Sequence, residues 1–192
     1  MKLLKDLRKT IARKKNIPPF VIFQDPSLED MAAHYPISMD EMANVSGVSK
    51  GKAIRYAKPF IELIAEYVEE NDIDRPTDFV VKQVANRSKI KVNIIQGIDR
   101  KLPLDDIANA NNISMEEILE EIDAIVTSGT KVNLDYYIEE NVDEYSKDDI
   151  YDYFMEAESD SVETALAELQ EDDISMEEIQ LVRIKFLSEL AN

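Results

Sequence analysis

Three times the chain opens a segment with the same six-residue pattern: Ile37-Ser38-Met39-Asp40-Glu41-Met42, Ile113-Ser114-Met115-Glu116-Glu117-Ile118 and Ile174-Ser175-Met176-Glu177-Glu178-Ile179. In each, a serine stands three residues before a glutamate. That spacing lets the hydroxyl accept a backbone N–H of the first helical turn while the carboxylate accepts the N–H of the serine. The copies lie 76 and then 61 residues apart, so they mark separate helix starts rather than a tandem repeat. With only 4 Gly and 7 Pro in 192 residues, and no long alternating apolar pattern, the chain is directed to an all-α fold.

The apolar spacing predicts a first helix over Lys2 to Lys15. Leu3, Leu4, Leu7 and Ile11 fall on one face and Lys2, Lys5, Lys9 and Arg13 on the other. Asn16-Ile17-Pro18-Pro19 ends it. Asp25-Pro26 reads as the next start, with Asp25 as the capping residue and the helix running to about Tyr35. A long helix follows Ser49, from about Lys50 to Glu70, bent near Pro59. Asn71 to Asp78 is polar, contains Pro76 and lacks apolar periodicity, so the chain is expected to divide there. The expected organisation is a first domain over 1–71, a linker over 72–85 and a second domain over 86–192. The second domain is expected to hold helices near 86–99, 104–110, 115–127, 134–142, 147–157, 161–170 and Met176 to Leu190. Ile90 to Ile95 is also open to a strand reading.

Charge separates these parts. Residues 1–75 are neutral overall, residues 76–101 carry +4, and residues 102–192 carry −22, which together give the net −18 of the chain. Two halves so different are expected to do different work. With no cysteine there is no thiolate metal site and no need of an oxidising compartment. The single His34 leaves little room for His-based metal or triad chemistry. No apolar run approaches the ~20 residues of a spanning helix. The basic N-terminus has no apolar signal core, so the expected address is cytoplasmic, at the nucleoid.

Four constellations bear on chemistry. Gly47-Val48-Ser49-Lys50-Gly51-Lys52-Ala53 is one residue short of a phosphate loop and has Ala53 where a magnesium-binding hydroxyl belongs, so no nucleotide site is read there. The same turn, as a hairpin between helices, would aim backbone N–H groups at a phosphate, with Lys50, Lys52 and Arg55 on the following turn. The alternative is a plain corner with solvated lysines. The first helix carries seven basic residues against Asp6, and Phe20 follows in a proline-stiffened turn. A cationic stripe beside an aromatic is the arrangement single-strand binders use to stack a base and hold phosphates. The alternatives are a solvated face and a core phenylalanine. Leu104 to Ile122 fits a helix-turn-helix, but its second helix presents Glu116, Glu117, Glu120, Glu121 and Asp123, which would repel phosphates; packing or protein binding fits it better. The carboxylate clusters at Asp148, Asp149 and Asp152, at Glu156 and Glu158, and over Glu171 to Asp173 fit no calcium loop and are read as solvated faces.

Residues 1–70 resemble the HRDC domain of RecQ-family DNA helicases and of RNase D. The resemblance runs through Leu7-Arg8, Ile11-Ala12, Pro18-Pro19-Phe20-Val21-Ile22-Phe23, Asp25, Leu28, Met31-Ala32, Pro36-Ile37, Glu41-Met42, Val45-Ser46-Gly47-Val48, Lys52, Arg55-Tyr56 and Phe60. Ile90 to Asn192 resembles the acidic C-terminal extension, with a helix-turn-helix core, of Bacteroidetes-type RecQ helicases, through Ile94 to Lys101, Ser128 to Asn133 and Arg183 to Phe186. The resemblance implies an HRDC-like bundle followed by a second, acidic helical domain. It also implies a parent that unwinds DNA with ATP and Mg²⁺ in motor domains not found in this sequence, which would make the chain the tail of a longer protein with Met1 an added start. Such domains bind DNA weakly or contact partners. The expected DNA-binding set is therefore Lys5, Lys9, Arg13, Lys14, Lys15, Phe20, Lys50, Lys52 and Arg55, with no catalytic, cofactor or metal residue. Ser49, where the family usually has a second glycine, and Phe20, where it often has tyrosine, depart from the pattern.

The expected role is a non-catalytic accessory region that tethers DNA, single-stranded or at junctions, by non-specific contacts. The acidic domain would meet a protein partner or the parent's own motor. The rival is a protein-interaction module without nucleic-acid binding. A nuclease reading fails for want of its carboxylate signature. A single basic patch joining the first helix to the hairpin favours DNA; scattered lysines favour the rival.

Overall fold

The structure, a computed structural model, describes residues 1–75, 88–169 and 174–191. The chain divides into two compact units, Met1–Gln83 and Val84–Asn192. Among the described residues there are twelve helices and no strand.

The first unit holds α1 (Lys2–Lys15), the one-turn α2 (Pro19–Ile22), α3 (Asp25–His34), the one-turn α4 (Met39–Met42) and α5 (Lys50–Glu70). α1 ends as its sequence implies. Asn16 takes the left-handed conformation, φ 53°, and the Ile17 N–H returns to the Ala12 carbonyl at 3.2 Å. The core forms between α1, α3 and α5, with Leu4, Ala12, Leu28, Met31, Met42, Phe60 and Ile64 buried. Phe23 meets Tyr56 and Phe60 edge-on, with centroids 6.3 and 5.0 Å away.

Two details differ from expectation. Asp25 is the first residue of α3, not its cap; Gln24 holds the cap position, with no side-chain bond to the helix. The Asp25 carboxylate instead receives Lys5 and Arg8 from α1. Residues 72–75, expected in the linker, bond to the first unit. The Ile73 N–H meets the Val68 carbonyl at 3.1 Å, and Arg75 Nη1 reaches the Tyr35 carbonyl at 3.1 Å and Glu41 at 2.9 Å. The rest of the expected linker, 76–85, lies outside the described residues.

In the second unit, α6 (Ser88–Asp99), α7 (Leu104–Asn111) and α8 (Met115–Thr127) pack on one another. They are followed by α9 (Asp135–Asn141), α10 (Glu144–Glu156), α11 (Val162–Glu168) and α12 (Met176–Ala191). Ile90 to Ile95, open to a strand reading, is helical. α12 packs against α8, α9, α10 and α11. It buries Ile179, Leu181, Val182, Ile184, Phe186, Leu187, Ser188 and Ala191, which lie on nearly all its faces, as a helix at the centre of a unit requires. Its polar residues are matched. Ser188 Oγ donates to the Val132 carbonyl at 2.7 Å and accepts the Val132 N–H at 2.9 Å. Arg183 joins Asp123 and Asp160, and Lys185 joins Asp135 and Glu189.

All three serine–glutamate starts act as caps. Ser114 and Glu117 exchange bonds of 3.1 and 2.8 Å, and Ser175 and Glu178 bonds of 3.2 and 2.8 Å. Ser38 accepts the Glu41 N–H at 3.2 Å, while Glu41 takes the N–H of Ile37, one residue before the cap. No helix among the described residues is long and apolar enough to cross a membrane.

Candidate nucleic-acid interface

The residues expected at the interface, with Arg8 beside them, separate into three groups. The first is internal. Lys5 Nζ lies 2.6 Å from one oxygen of Asp25 and Arg8 Nη2 lies 2.7 Å from the other, while Arg8 Nη1 donates to the Phe23 carbonyl at 2.6 Å. Burial raises the Asp25 pKa, but the bonds from Lys5 and Arg8 outweigh it and hold the carboxyl below its usual range. The Arg8 side chain is 5% exposed, so this cluster clamps α1 to α3. Arg8 was absent from the expected binding set, and its burial depends on a partner 17 residues away that periodicity cannot supply. Lys9 is half-buried.

The second group corrects two expectations. Phe20 is 1% exposed and Val21, Ile22 and Phe23 are fully buried, so Phe20 is no stacking platform for a base. The one-turn α2 packs on α1 with three of its four residues inside. Keeping an aromatic ring from water is worth about 1.5–3 kcal/mol, which exposure would forfeit. Lys52 is 2% exposed and not available to a phosphate. Its position explains this: Lys52, Tyr56, Phe60 and Ile64 recur every four residues and form the buried stripe of α5.

The third group lies at the surface. Arg13, Lys14 and Lys15 end α1, and all three are exposed. Lys50 and Arg55 lie on the first two turns of α5 and are also exposed. The two helices meet at Tyr56. Lys15 Nζ lies 5.6 Å from its ring centroid and the Arg55 guanidinium 5.4 Å. Arg55 is further held by a bond from Nε to the Gly51 carbonyl, 3.2 Å. Lys15 at the end of the first helix and Arg55 near the start of the hairpin helix therefore meet at one ring.

The turn before α5 is fixed. Gly47 has φ +72°, and a Cβ there would lie 2.7 Å from Ser27 Oγ, so both conformation and space demand glycine. The Ser46 N–H bonds Asp30 at 2.6 Å. Ser49 caps α5 by accepting the Lys52 N–H at 3.1 Å. Among the described residues no group of three or more His, Asp or Glu side chains is placed to hold a metal ion.

In the second unit, α7 and α8 form the expected helix-turn-helix, turned by Asn112 at φ 55°. Glu116, Glu117 and Glu120 of α8 are exposed. Asp123, counted on that outer face, points to Arg183 instead.

Comparison with known proteins agrees with this division. Residues 1–64 match the HRDC domain, and residues 88–138 match the RecQ-1-like helix-turn-helix domain. Over 64 residues the chain is 45% identical to the ATP-dependent DNA helicase RecQ of Haemophilus influenzae, covering 33% of this chain and 10% of that protein. Over 69 residues it is 35% identical to the ATP-dependent DNA helicase RecQ of Bacillus subtilis, covering 36% and 12%. Over 100 residues it is 28% identical to the mouse bifunctional 3'-5' exonuclease/ATP-dependent helicase WRN, covering 52% and 7%. The matched stretch spans about a tenth of the length of these relatives.

Proposed function

We propose that this chain, in which an HRDC domain is joined to a RecQ-1-like helix-turn-helix domain as in the C-terminal region of a RecQ protein, is a non-catalytic DNA tether for an ATP-dependent helicase motor. The observation that carries the reading is the convergence of Lys15 and Arg55 on Tyr56, flanked by Arg13, Lys14 and Lys50. Cations fixed by a ring and by a helix end are presented to phosphates without a large ordering cost. A patch of a few cations gives weak, sequence-independent, salt-sensitive binding, in the range of roughly 10⁻⁴–10⁻⁶ M at physiological salt. That suffices for a tether, which acts by raising the local DNA concentration at the motor. With Phe20 inside, recognition rests on phosphates rather than on base stacking. The preference would then be for DNA whose backbone can follow the patch, as a single strand or a junction can. ATP and Mg²⁺ chemistry would belong to the motor of the parent.

The protein-interaction reading is favoured for the second unit by the exposed carboxylates of α8. There a basic surface, of a partner or of the motor itself, is the fitting counterpart.

Fluorescence anisotropy of labelled single-stranded, duplex and junction DNA with the full chain, at low and at physiological salt, tests the tether. Salt-sensitive binding that weakens when Lys14, Lys15 and Arg55 become alanine supports it. Absence of binding at low salt removes it and leaves the interaction module.

A further inference from the structure

Among the described residues of the acidic second unit, one element is basic. α6 and the turn after it carry Lys89, Lys91, Arg100 and Lys101 against Asp99, in a chain whose following residues 102–192 carry −22. Its inner face is tightly seated: Ile94 is fully buried, Ile98 is 3% exposed, and a Cβ on Gly97 would lie 2.7 Å from the side chain of Ile107 on α7. Its flanks are fastened by Lys91 Nζ to Ser128 Oγ at 2.8 Å and by Asn93 to Asn111 at 3.0 Å. An exposed row runs through Lys89, Asn93, Gln96 and Arg100, recurring every three or four residues, with Lys101 beside it; one amide hydrogen of Asn93 is taken by Asn111 and the other faces outward with the row. The row holds two cations and two amides, and no carboxylate.

We propose that this face of α6 is a second nucleic-acid contact, binding the phosphate backbone, and that the helix-turn-helix unit meets DNA through α6 rather than through α8. Charge complementarity selects the occupant. From Lys89 to Arg100, the residue just past the end of α6, eleven steps at the helical rise span about 16 Å, a length over which duplex DNA presents on the order of ten phosphate charges. α8 offers such a surface only exposed carboxylates, which repel it. Lysine and arginine at the ends of the row suit phosphates, and the amides of Asn93 and Gln96 suit phosphate or sugar oxygens between them. The rigid seat at Gly97 presents the row as a unit. This contact does not depend on the first unit's patch.

The test measures DNA binding by the full chain in four forms: unchanged; with Lys14, Lys15 and Arg55 as alanine; with Lys89, Arg100 and Lys101 as alanine; and with all six replaced. The proposal expects the α6 triple variant to lose affinity several-fold, with the slope of log affinity on log salt shallower by roughly 2–3, in both the unchanged and the first-unit-variant backgrounds. All the replaced α6 side chains are exposed, and the circular dichroism melt should be unchanged. Affinity and slope unmoved by the α6 substitutions overturn the proposal, even where the first-unit substitutions act. If only the α6 substitutions act, the first-unit tether fails and this contact stands. Salt-sensitive self-association abolished by the α6 substitutions, with DNA binding untouched, overturns it in favour of the row meeting the acidic surface of another copy.

Discussion

Lys15 Nζ lies 5.6 Å from the centre of the Tyr56 ring, on the same ring that Arg55 approaches to 5.4 Å. Lys5, ten residues before Lys15 on the same helix, is spent on Asp25. One helix thus sets its basic residues in two surroundings, an internal ion pair and an exposed ring contact, and the two are separable. Lys15→Ala should reduce the salt slope of DNA binding by roughly 0.7–0.9 with little change in melting temperature. Lys5→Ala should do the reverse, costing about 0–1 kcal/mol in stability and leaving the slope in place. Anisotropy and thermal melts of the two variants check the partition; equal effects on DNA binding would place Lys5 in the interface after all.

Phe20 should behave as a core residue. Phe20→Ala is expected to cost about 3–5 kcal/mol in urea or thermal unfolding. Phe20→Leu should cost far less and keep DNA affinity at the unsubstituted level. A large loss of affinity with Phe20→Leu, at preserved stability, would restore the stacking role.

The turn into α5 depends on Gly47. Gly47→Ala places a methyl group against Ser27 Oγ in a left-handed conformation, and about 1–3 kcal/mol of destabilisation is expected from the strain. Pairing it with Ser27→Gly should recover the part due to the contact but not the part due to φ. Chemical denaturation of the single and double variants separates the two.

Acid should loosen the clamp between α1 and α3. The Asp25 carboxyl is held below its usual range, so the folded state binds its proton less readily than the unfolded chain does. The stabilisation is full above the unfolded value, near 4, and is lost as pH falls through the lower folded value. Denaturation from pH 6 downward should show a smaller fall for Asp25→Asn than for the unsubstituted chain.

At the alkaline end the second unit should weaken. Burial, with the fields of Asp105 and Glu177, pushes the Tyr137 phenol up to about 12. An unfolded phenol ionises near 10, so stability is full below pH 10 and lost as pH rises toward 12. Burial also raises Tyr136, Tyr151 and Tyr153, so ultraviolet titration of phenolate should find several late-titrating tyrosines, with one fewer in Tyr137→Phe.

The helices were legible because their starts carry local chemistry. Lys50–Glu70 and Met115–Thr127 have the bounds read from Ser49 and Ser114, each a serine accepting the N–H three residues on. The one-turn α2 was not read as a helix, since four residues carry no period, and of α4 only the start at Ser38 was read. In the interface, exposure of Arg13, Lys14, Lys15, Lys50 and Arg55 follows from position, but the meeting of Lys15 and Arg55 at one ring does not; no pattern within α1 points to residue 56. Lys5 and Arg8 were hidden for the same reason: Asp25 looked like a cap, and only the packing of α1 on α3 makes it their anion. Lys52 was readable, because its place four residues before Tyr56 sets it on the apolar stripe. Its charge was weighted over its position.

The central place of α12 bears on the order of events during synthesis. The first unit holds its core within residues 1–75 and has what it needs once that stretch has left the ribosome. The second unit does not: Asp123 waits for Arg183 and Val132 for Ser188, pairings 60 and 56 residues long. Until Met176–Ala191 emerges, the sides of α8, α9, α10 and α11 that pack on α12 stay open to chaperones or to other nascent chains. A ribosome stalled before residue 176 would carry a finished first unit and an open, adhesive second one.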